Sequence, residues 1–575
     1  MKNKYSERIA LIGGGPASLF VMKHIVEQDL KPETVCIFEK NDRLGAGMPY
    51  GKYGAGIEHV ANVSANELPE LAEDFTSYIS RHPAAEFKDF YHSDGINEYQ
   101  VIPRLLLGNY LEEQFSHYIS KAKKLGIDVQ VFTNSTVVDI IRVEKETCFK
   151  VVTENGDHHH TGNIIICTGH YWPKRNEEKV KGWYDSPYPP SKFTGPTNYP
   201  VAIKGTSLTA VDAVKTLARK NGYFDFQGDE LQYFTHEGSE NFSISLFSLG
   251  GYLPALRFHS EESAYSEGWI MSLDDIYEYK KSHNGFVDLD YVFEINFKQP
   301  LQKRDPDFYE KIKSLSIEEF VETMMEIRDK LDGFELFKAE YAEAEKSIRR
   351  HQSITWKEAL SAFSYAVNYP AKHFSAEDML RLRKTLMPLI SIIIASLPQS
   401  SYRELIALYN AGKVRLIDVD EKSHVEPHPE EGGVYHFTDE NGNEKKEYYR
   451  MYIDATGQKP IEFNQVPFEG LKDSGTISSG YLRFKSAEKG EESYEKDHSN
   501  IIKADQENYY LRVKGLNIND YFQALDYYGH PTPELFIMAV PYIGGLNPDY
   551  SGLDFCDTAG KVVVKALKNR LKEMA

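Results

Sequence analysis

The chain has 575 residues and a formal net charge of −20, with 41% hydrophobic and 26% charged residues, a composition typical of globular proteins. At about 150 residues per domain, this length predicts three to four domains. The negative charge argues against general binding to nucleic acid or to anionic membranes, because both favour positively charged proteins.

No apolar segment is long enough for a membrane helix. The longest apolar run, near 386–397, is shorter than the ~20 residues that a span requires, and Pro388 interrupts it. The N-terminus lacks a signal-peptide pattern. The four cysteines contain no CxxC pair, so we expect neither a disulfide framework nor a zinc ribbon. These features predict a soluble, cytoplasmic protein.

The first motif is a glycine turn between a predicted strand (8–12) and a predicted helix. Gly13 permits a tight turn, Gly15 lets the backbone approach a pyrophosphate, and Ser18 is a small residue at the third glycine position. A second predicted strand (34–38) ends at Glu39, where an acid binds ribose hydroxyls in dinucleotide sites. Together these elements predict a dinucleotide-binding fingerprint.

The segment that follows, EKNDRLGAG at 39–47, resembles the FAD-binding N-terminus of the glutathione-reductase-like flavoproteins. The resemblance implies that Glu39 binds the adenosine ribose and that the glycine segment passes the pyrophosphate and the flavin. The FAD contacts expected from this part of the chain are Gly13, Gly15, Pro16, Ala17, Ser18, Glu39, Lys40, Arg43, Gly45 and Gly47.

Two later segments, starting near 126 and 412, share one order of elements. Each has alternating β-type residues around an Asn-Gly turn, which is a strong hairpin signal, and each ends in an apolar strand that closes on Thr-Gly. This double pattern resembles flavoproteins with two dinucleotide sites, in which a β-meander leads into a strand that returns the chain to the cofactor. The resemblance implies cofactor contacts at Val137, Thr168, Gly169 and Gly457.

A second glycine loop follows the predicted strand 201–203 and precedes a helical pattern. It reads GxSxxA, so Ser207 stands where the fingerprint has its central glycine. We interpret it as the nicotinamide-domain loop. The strand after it, 242–247, has no acid at its end; because an acid would repel a 2′-phosphate, its absence favours NADPH, with NADH possible. Arg257 is either a ligand of that phosphate or a surface arginine. The NAD(P)H contacts expected here are Gly205, Thr206, Ser207, Leu208 and Thr209.

Longer segments at 58–71, 101–111, 205–212 and 248–257 resemble a bacterial family of FAD/NAD(P)-binding proteins related to the class B flavin monooxygenases and the N-hydroxylating monooxygenases. The resemblance implies that His59 and Asn62 lie near the flavin, and that Arg104 and Tyr110 pack near FAD.

The sequence departs from the class B enzymes in one motif. The stretch that begins at Phe193 starts like the FxGxxxH motif of the class B enzymes, but no histidine follows. A divergent monooxygenase and a reductase of something other than oxygen both stay open.

The C-terminal segment resembles the last FAD motif of this superfamily, with an apolar strand, a glycine turn at Gly544, Gly545 and Leu546, and a helix whose N-terminus faces the flavin. Residues 305–410 have mostly helical periodicity. His158, His159 and His160 are interpreted as an exposed hairpin tip rather than a metal site. In the segment 526–530, a tyrosine or His530 is a candidate to reach a substrate beside the flavin.

The predicted fold is α/β, with two Rossmann-like dinucleotide-binding domains and a helical insertion. The expected ranges are 1–195 and 406–575 for a discontinuous FAD domain, 196–305 for an inserted NAD(P)H domain and 306–405 for the insertion. The predicted function is that of an FAD-dependent NAD(P)H oxidoreductase, monooxygenase-like and acting on a small molecule. The alternatives are an NAD(P)H-dependent reductase or oxidase without oxygen insertion, and a flavin-binding sensor without turnover. We predict no metal site, and the catalytic residues and the oligomeric state stay open.

Overall fold

The structure is a computed structural model that describes residues 4–83, 86–87, 99–260 and 270–574. The strands, in chain order, are β1 (Arg8–Ile12), β2 (Thr34–Phe38), β3 (Val60–Ser64), β4 (Val101–Pro103), β5 (Asp128–Phe132), β6 (Val137–Val143), β7 (Cys148–Thr153), β8 (His158–Thr161), β9 (Asn163–Ile166), β10 (Trp183–Tyr184), β11 (Pro200–Lys204), β12 (Gly222–Gln227), β13 (Glu230–Thr235), β14 (Ser243–Leu249), β15 (Val414–Val419), β16 (His424–Pro427), β17 (Gly433–Thr438), β18 (Glu444–Tyr449), β19 (Met451–Asp454), β20 (Ser479–Arg483), β21 (Ile501–Lys503), β22 (Tyr509–Leu516), β23 (Gln523–Leu525) and β24 (Pro531–Ile537).

The α-helices, in chain order, are α1 (Pro16–Glu27), α2 (Phe75–Arg81), α3 (Arg104–Lys124), α4 (Leu208–Asn221), α5 (Leu273–Ser282), α6 (Leu289–Phe293), α7 (Gln299–Arg304), α8 (Pro306–Ile312), α9 (Ile317–Arg328), α10 (Gly333–Arg350), α11 (Thr355–Val367), α12 (Ala376–Arg381), α13 (Met387–Ile394), α14 (Gln399–Asn410), α15 (Glu469–Asp473), α16 (Ala487–Lys496), α17 (Val540–Ile543) and α18 (Gly552–Met574). Among the described residues, no helix is both long and apolar enough to cross a membrane.

The first sheet combines strands from both ends of the chain. Its order is β23-β24-β9-β1-β2-β5. Every neighbouring pair is parallel except β23 and β24, which are antiparallel, and β23 is the edge strand. The central strands are buried on both faces, as parallel strands covered by helices must be, with Ile9, Leu11, Ile37 and Ile165 fully buried. The predicted discontinuous domain is therefore confirmed.

Helices α1 and α18 cover this sheet side by side. The backbone of the two helices comes close where a Cβ on Gly560 would lie only 3.3 Å from the Phe20 backbone. Asp557 of α18 accepts hydrogen bonds from Lys23 at 2.9 Å and from His24 at 2.8 Å. The C-terminal helix is thus joined to the first glycine-loop helix by both packing and charge.

The second sheet is parallel throughout, in the order β10-β19-β11-β14-β15. Helices α5 to α14 form the helical insertion, and in sequence they lie between the neighbouring strands β14 and β15. The fold class predicted from the sequence, two Rossmann-like domains with a helical insertion, is confirmed.

The predicted domain boundaries need correction in three places. The helices start at Leu273, before the predicted boundary at 306, and they continue to Asn410. Strands β15 and β19, which we assigned to the FAD domain within 406–575, pair in the second sheet instead. The short strand β10, within the predicted range 1–195, also pairs there. The reason is that strand pairing across a long insertion leaves no local signal in the sequence.

Both Asn-Gly turns form the predicted hairpins, between β7 and β8 and between β17 and β18, with positive φ angles at Gly156 and Gly442. The three consecutive histidines lie in strand β8 and not at a hairpin tip, which corrects that prediction. His159 packs edge-on against Phe38, with ring centroids 5.0 Å apart, and His160 stacks on Tyr5. Aromatic packing therefore accounts for two of these side chains.

Candidate functional site

A cavity of about 400 Å³ lies between the first glycine loop and the N-terminus of α4, the helix that follows the second glycine loop. Such a volume is within the usual range of ligand pockets. The N-terminal residues of three helices line it: Pro16 and Ala17 of α1, Leu208 and Thr209 of α4, and Gly552 and Leu553 of α18. Since a helix N-terminus has unpaired N–H groups and a positive dipole end, this convergence makes the cavity favourable for anions.

The first glycine loop has the close backbone contacts that its sequence predicts. Gly13 has a φ of +104°, and a Cβ there would lie 2.7 Å from the carbonyl oxygen of Cys167. Gly15 and Gly47 both line the cavity, and a Cβ on Gly15 would lie 3.3 Å from the Cα of Gly47. Ser18 is fully buried, and its hydroxyl donates to the Gly13 carbonyl oxygen. Side chains are excluded here, which leaves a cradle for a ligand.

Glu39 lies at the end of β2 and is 6% exposed. One carboxylate oxygen accepts a hydrogen bond from the Gly14 N–H and the other from the Asn41 N–H, each at 2.8 Å. The residue also lines the cavity. These two bonds fix the carboxylate while leaving acceptor positions for ribose hydroxyls. The accepting carboxylate of Glu39 and the glycine cradle of the first loop therefore fit an adenine dinucleotide such as FAD.

The second glycine loop repeats this backbone arrangement. Gly205 has a φ of +107°, and a Cβ there would lie 2.8 Å from the carbonyl oxygen of Ala455. Thr206 donates its hydroxyl to the Tyr252 carbonyl oxygen at 2.8 Å, so this side chain has a partner within the protein. Ser207 is exposed at the N-cap of α4 without a side-chain capping bond.

A buried polar network joins the two domains beside the cavity. Arg104 of α3 donates to the Asp212 carboxylate of α4 at 2.6 Å, and the Tyr188 hydroxyl donates to the same oxygen at 2.5 Å. His59 contacts the Asp212 carbonyl oxygen at 3.2 Å and the Thr216 hydroxyl at 3.1 Å. Burial lowers the pKa of His59, although Asp212 and Glu58 act in the other direction. This network fixes the position of α4 relative to the first domain.

His170 follows the Thr168-Gly169 pair and lines the cavity. Its ring stacks on Trp172, with centroids 5.4 Å apart. Its Nδ1 atom is buried without a hydrogen-bond partner among the described residues. Burial, aided by the charge of Arg104, lowers the pKa of His170 to about 4. The imidazole of His170 is therefore neutral at neutral pH. In this form one of its ring nitrogen atoms is a hydrogen-bond donor and the other is an acceptor.

Thirteen of the predicted contact residues line this cavity. They are Gly13, Gly15, Pro16, Ala17, Glu39, Lys40, Gly47, Asn62, Arg104, Thr168, Gly169, Leu208 and Thr209.

Other predicted contacts lie elsewhere. Arg43 pairs with Glu112 and donates to Asn109 at 2.9 Å, so α3 holds its guanidinium. Tyr110 is buried and donates to the Glu73 carbonyl oxygen at 2.6 Å. Val137 begins β6 and packs against the main core. Not among the cavity-lining residues are Ser18, Arg43, Gly45, Tyr110, Val137, Gly205, Thr206, Ser207, Gly457, Gly544, Gly545 and Leu546.

The C-terminal motif is displaced from its predicted position. Leu546 is buried, and a Cβ on Gly545 would lie 1.8 Å from the Lys514 carbonyl oxygen, so this turn packs against β22. The final helix starts at Gly552, which has a φ of +93° and lines the cavity. The predicted order of strand, glycine turn and helix is present, but a further loop separates the turn from the helix, so the helix N-terminus lines the cavity and the turn does not.

The exposed tyrosines at the 526–530 turn do not approach the cavity. Tyr527 and Tyr528 are 74% and 81% exposed at the tip of the β23–β24 hairpin, at the edge of the first sheet. The suggestion that this segment reaches a substrate beside the flavin is therefore wrong.

A second cavity of about 610 Å³ also borders β3, and α10 and α14 of the helical insertion contribute to its wall. Arg257 lines it and forms an ion pair with Glu67. The same guanidinium donates to the Asn62 carbonyl oxygen at 3.0 Å, and Asn62 lines the first cavity. Arg257 is thus neither a free surface residue nor an unpaired cation, and it links the walls of the two cavities.

The sequence analysis missed several cavity residues. Trp172 and Tyr188 lie in the irregular segment before β11, and Gln458 follows the second Thr-Gly pair. Gln458 accepts a hydrogen bond from the Tyr171 N–H at 2.6 Å, which joins the two Thr-Gly segments. The duplicated Thr-Gly ends were the available signal, because they predict that the residues just after each strand lie near one another.

Comparisons with known proteins agree with this geometry. Residues 10–171 match a family model described as FAD-NAD(P)-binding, and residues 272–394 match one described as YdhS-like middle domain. The uncharacterized protein YdhS of Escherichia coli (strain K12) is 25% identical over 473 residues, which cover 81% of this chain and 86% of the relative.

Three of the solved structures that the comparison found each have a TM-score below 0.5. Cyclohexanone monooxygenase from Rhodococcus sp. Phi1 bound to NADP⁺ has a TM-score of 0.45 at 11% identity, covering 98% of this chain and 84% of that one. DfoA of Erwinia amylovora bound to FAD, a cadaverine monooxygenase, gives 0.46 at 11%, with 99% and 95% covered. The bacillithiol disulfide reductase Bdr of Bacillus cereus gives 0.40 at 12%, with 98% and 99% covered.

The family match over residues 10–171 includes the whole first glycine loop, Glu39, Asn62, Arg104 and the first Thr-Gly pair. It confirms the cofactor class predicted from the sequence, FAD together with NAD(P). The chain therefore resembles the FAD/NAD(P)-binding proteins over its first part and the YdhS-like proteins over its helical middle.

Proposed function

We propose that this protein is an FAD-dependent NAD(P)H oxidoreductase that acts, like a monooxygenase, on a small molecule. The observation that carries the proposal is the convergence of three helix N-termini, of α1, α4 and α18, on one cavity. One of these helices follows the first glycine loop and another follows the second. Two dinucleotides held by these loops would have their phosphates stabilised at the same site.

The residues of the first loop would hold FAD. Gly15 and Gly47 leave room for the pyrophosphate, and the fixed carboxylate of Glu39 would accept from ribose hydroxyls. The bound cofactors would supply hydride and electron transfer. The protein's part is to bind, orient and exclude water, and the neutral His170 would add a hydrogen-bonding group that carries no charge near neutral pH.

The second cavity supports the small-molecule part of the proposal. It is larger than the first, and the two share a wall at β3, where Val60 lines one cavity and Ala61 the other. Through its bonds to Asn62 and Glu67, Arg257 would hold this wall in place. A substrate in the second cavity would lie against the same strand, β3, that lines the cofactor cavity.

The test is a visible spectrum of the purified protein with FAD, taken before and after NADPH or NADH is added in air. We expect flavin bands that bleach and return while NAD(P)H is consumed. Oxygen insertion is tested by hydrogen peroxide release: an inserting enzyme releases less peroxide per NAD(P)H when its substrate is present. A protein that binds no FAD would contradict the whole proposal, whereas constant peroxide release with every substrate would leave an oxidase.

A further inference from the structure

We propose that His424, Glu426 and His436 form a binding site for a transition-metal ion such as Zn²⁺. The three residues lie on the β16–β17 hairpin, away from the cavities described above. Each offers one ligand atom, and these atoms lie within 4.8 Å of one another. Two imidazoles and a carboxylate are a ligand set suited to Zn²⁺ and its neighbours in the first transition row.

The strand geometry brings these side chains to one face. His424 and Glu426 are two residues apart on β16, and His424 is directly opposite His436 on β17. Because side chains alternate along a strand, the three share the outer face. The intervening residues Val425, Tyr435 and Phe437 point the other way, into a hydrophobic cluster.

One of the distances between ligand atoms matches a metal site, and the others are somewhat longer. The Nε2 atom of His436 is 3.4 Å from the Glu426 carboxylate, and the Nε2 atom of His424 is 3.8 Å from it. Ligands about 2.0–2.2 Å from a tetrahedral Zn²⁺ are separated by roughly 3.3–3.5 Å. The two imidazole rings are stacked, with centroids 4.6 Å apart and an interplanar angle of 11°, and both Nε2 atoms lie beside the Glu426 carboxylate.

The hydrogen bonding leaves the right nitrogen atoms available. The Nδ1 atom of His424 lies 3.2 Å from the Lys422 carbonyl oxygen, which can only accept, so this nitrogen carries the proton in the neutral ring. The lone pair is then on Nε2, facing the carboxylate. A carbonyl bond of this kind commonly orients metal-binding histidines. The Nε2 atom of His436 has no hydrogen-bond partner among the described residues. Where both rings are neutral with their lone pairs on Nε2, a bound cation would stabilise the two nitrogen atoms and the carboxylate together.

The site is accessible. The side chains of His424 and Glu426 are 57% and 64% exposed, whereas that of His436 is 17% exposed. An ion could enter without any rearrangement of the fold, and a fourth position would stay open to water. Binding would tie β16 to β17, whose Tyr435 stacks on Phe247 of the second sheet at 3.6 Å. We therefore expect the metal to stabilise the second domain.

The test is zinc titration of the full chain after treatment with a chelator, using a chromophoric chelator as competitor. We expect one ion per chain, and a loss of about 100-fold or more in affinity for His436→Ala and for His424→Ala, since changes outside the ligand set already cost 10–100-fold. The matched control is His428→Ala, on the same meander, whose ring packs on Tyr448. It should bind zinc like the unaltered chain.

Thermal unfolding provides the second measurement. Zinc should raise the midpoint of the unaltered chain and of His428→Ala, and should leave that of His436→Ala unchanged, provided that the metal-free variants unfold at the same temperature as the unaltered chain. Zinc affinity that is equal in all four proteins would overturn the proposal, as would the absence of any binding at 0.1 mM zinc, roughly the weak end of specific metal sites.

Discussion

The two glycine loops share a backbone design but differ in what they present to the cavity. Gly13 donates its N–H to the Phe38 carbonyl oxygen, and Gly205 donates to Phe247, both at 2.8 Å. The carbonyl that blocks a Cβ comes from Cys167 in the first loop and from Ala455 in the second, each directly before a Thr-Gly pair. The corresponding residues of the two loops therefore occupy equivalent backbone positions.

Two of the sequence differences between the loops bear directly on cofactor binding. Gly15 corresponds to Ser207, and Glu39, which follows Phe38, corresponds to Ser248, which follows Phe247. The first loop thus has both the glycine that a close pyrophosphate requires and the acid that binds a ribose, and the second has neither. This contrast supports the proposal that the first loop would hold FAD and the second would bind NAD(P)H.

The largest expected effect comes from breaking the Arg104–Asp212 ion pair, which joins α3 of the first domain to α4 of the second. Asp212→Asn removes the charge that pairs with Arg104, whose side chain is 13% exposed. An uncompensated buried charge lowers the free energy of unfolding by about 3–5 kcal/mol, which urea denaturation measures.

The control for this change is Glu33→Gln, which removes the partner of Arg8 in a pair whose side chains are 33% and 52% exposed. Exposed pairs contribute about 1 kcal/mol or less. Equal losses for the two variants would mean that the Arg104–Asp212 pair does not hold the domains together.

The next effect concerns the glycine position. Gly15→Val inserts side-chain atoms between Gly15 and Gly47, and overpacking of this kind costs about 1–3 kcal/mol. We expect FAD affinity to fall by about 10- to 100-fold, measured by flavin fluorescence. The equivalent change in the second loop, Ser207→Val, should leave FAD affinity unchanged. If the two variants lose FAD equally, the assignment of FAD to the first loop is wrong.

The acid position predicts a smaller change. Ser248→Asp places a carboxylate where Glu39 stands in the first loop, so a 2′-phosphate would be repelled. We expect the ratio of kcat/KM for NADPH to that for NADH to fall by about tenfold, or about 1.4 kcal/mol. Ser248→Asn is the uncharged control and should keep the original ratio. An unchanged ratio in Ser248→Asp would place the ribose phosphate elsewhere.

The sequence predicted correctly those features whose geometry depends on residues close together along the chain. Strand β1, the turn at Gly13 and the acid at Glu39 lie within one βαβ unit, so their spacing sets their geometry. The pairing of β15 and β19 in the second sheet was missed, because a run of helices separates β14 from β15. The same holds for Asp212, whose partner Arg104 is 108 residues away, and for Gly552, where nothing local indicates that the helix begins late.

The metal triad was missed for a related reason. His424 and His436 meet only through the register of a hairpin, and the sequence shows them as isolated histidines. The signal that could have found them is the alternation His-x-Glu on one strand with a histidine on the next strand. The Asn-Gly turn that we recognised follows β17, so it fixed the register of β17 with β18 and not that of β16 with β17.

The last expected effect is a pH dependence that arises in the loop leading to α18. Burial raises the pKa of Asp549 to about 6, although a hydrogen bond from Ser364 acts in the other direction. An unfolded aspartate has a pKa near 3.9, so the folded chain binds more protons between about pH 4 and 6 and loses stability as pH rises through this range. Asp549→Asn removes this loss. Its unfolding midpoint should therefore exceed that of the unaltered chain more at pH 8 than at pH 4.5.

Asp557, in the helix that this loop precedes, supplies a control of opposite sign. Burial alone would raise its pKa, but hydrogen bonds from His24 and Lys23 lower it overall. Its contribution to stability is present above the unfolded pKa and is lost as pH falls through the folded one. Asp557→Asn should therefore lower the midpoint at pH 8 and lower it less in acid. If both variants shift in the same direction at pH 8, burial does not govern Asp549, and the approach to the third helix N-terminus is more open to water than its contacts indicate.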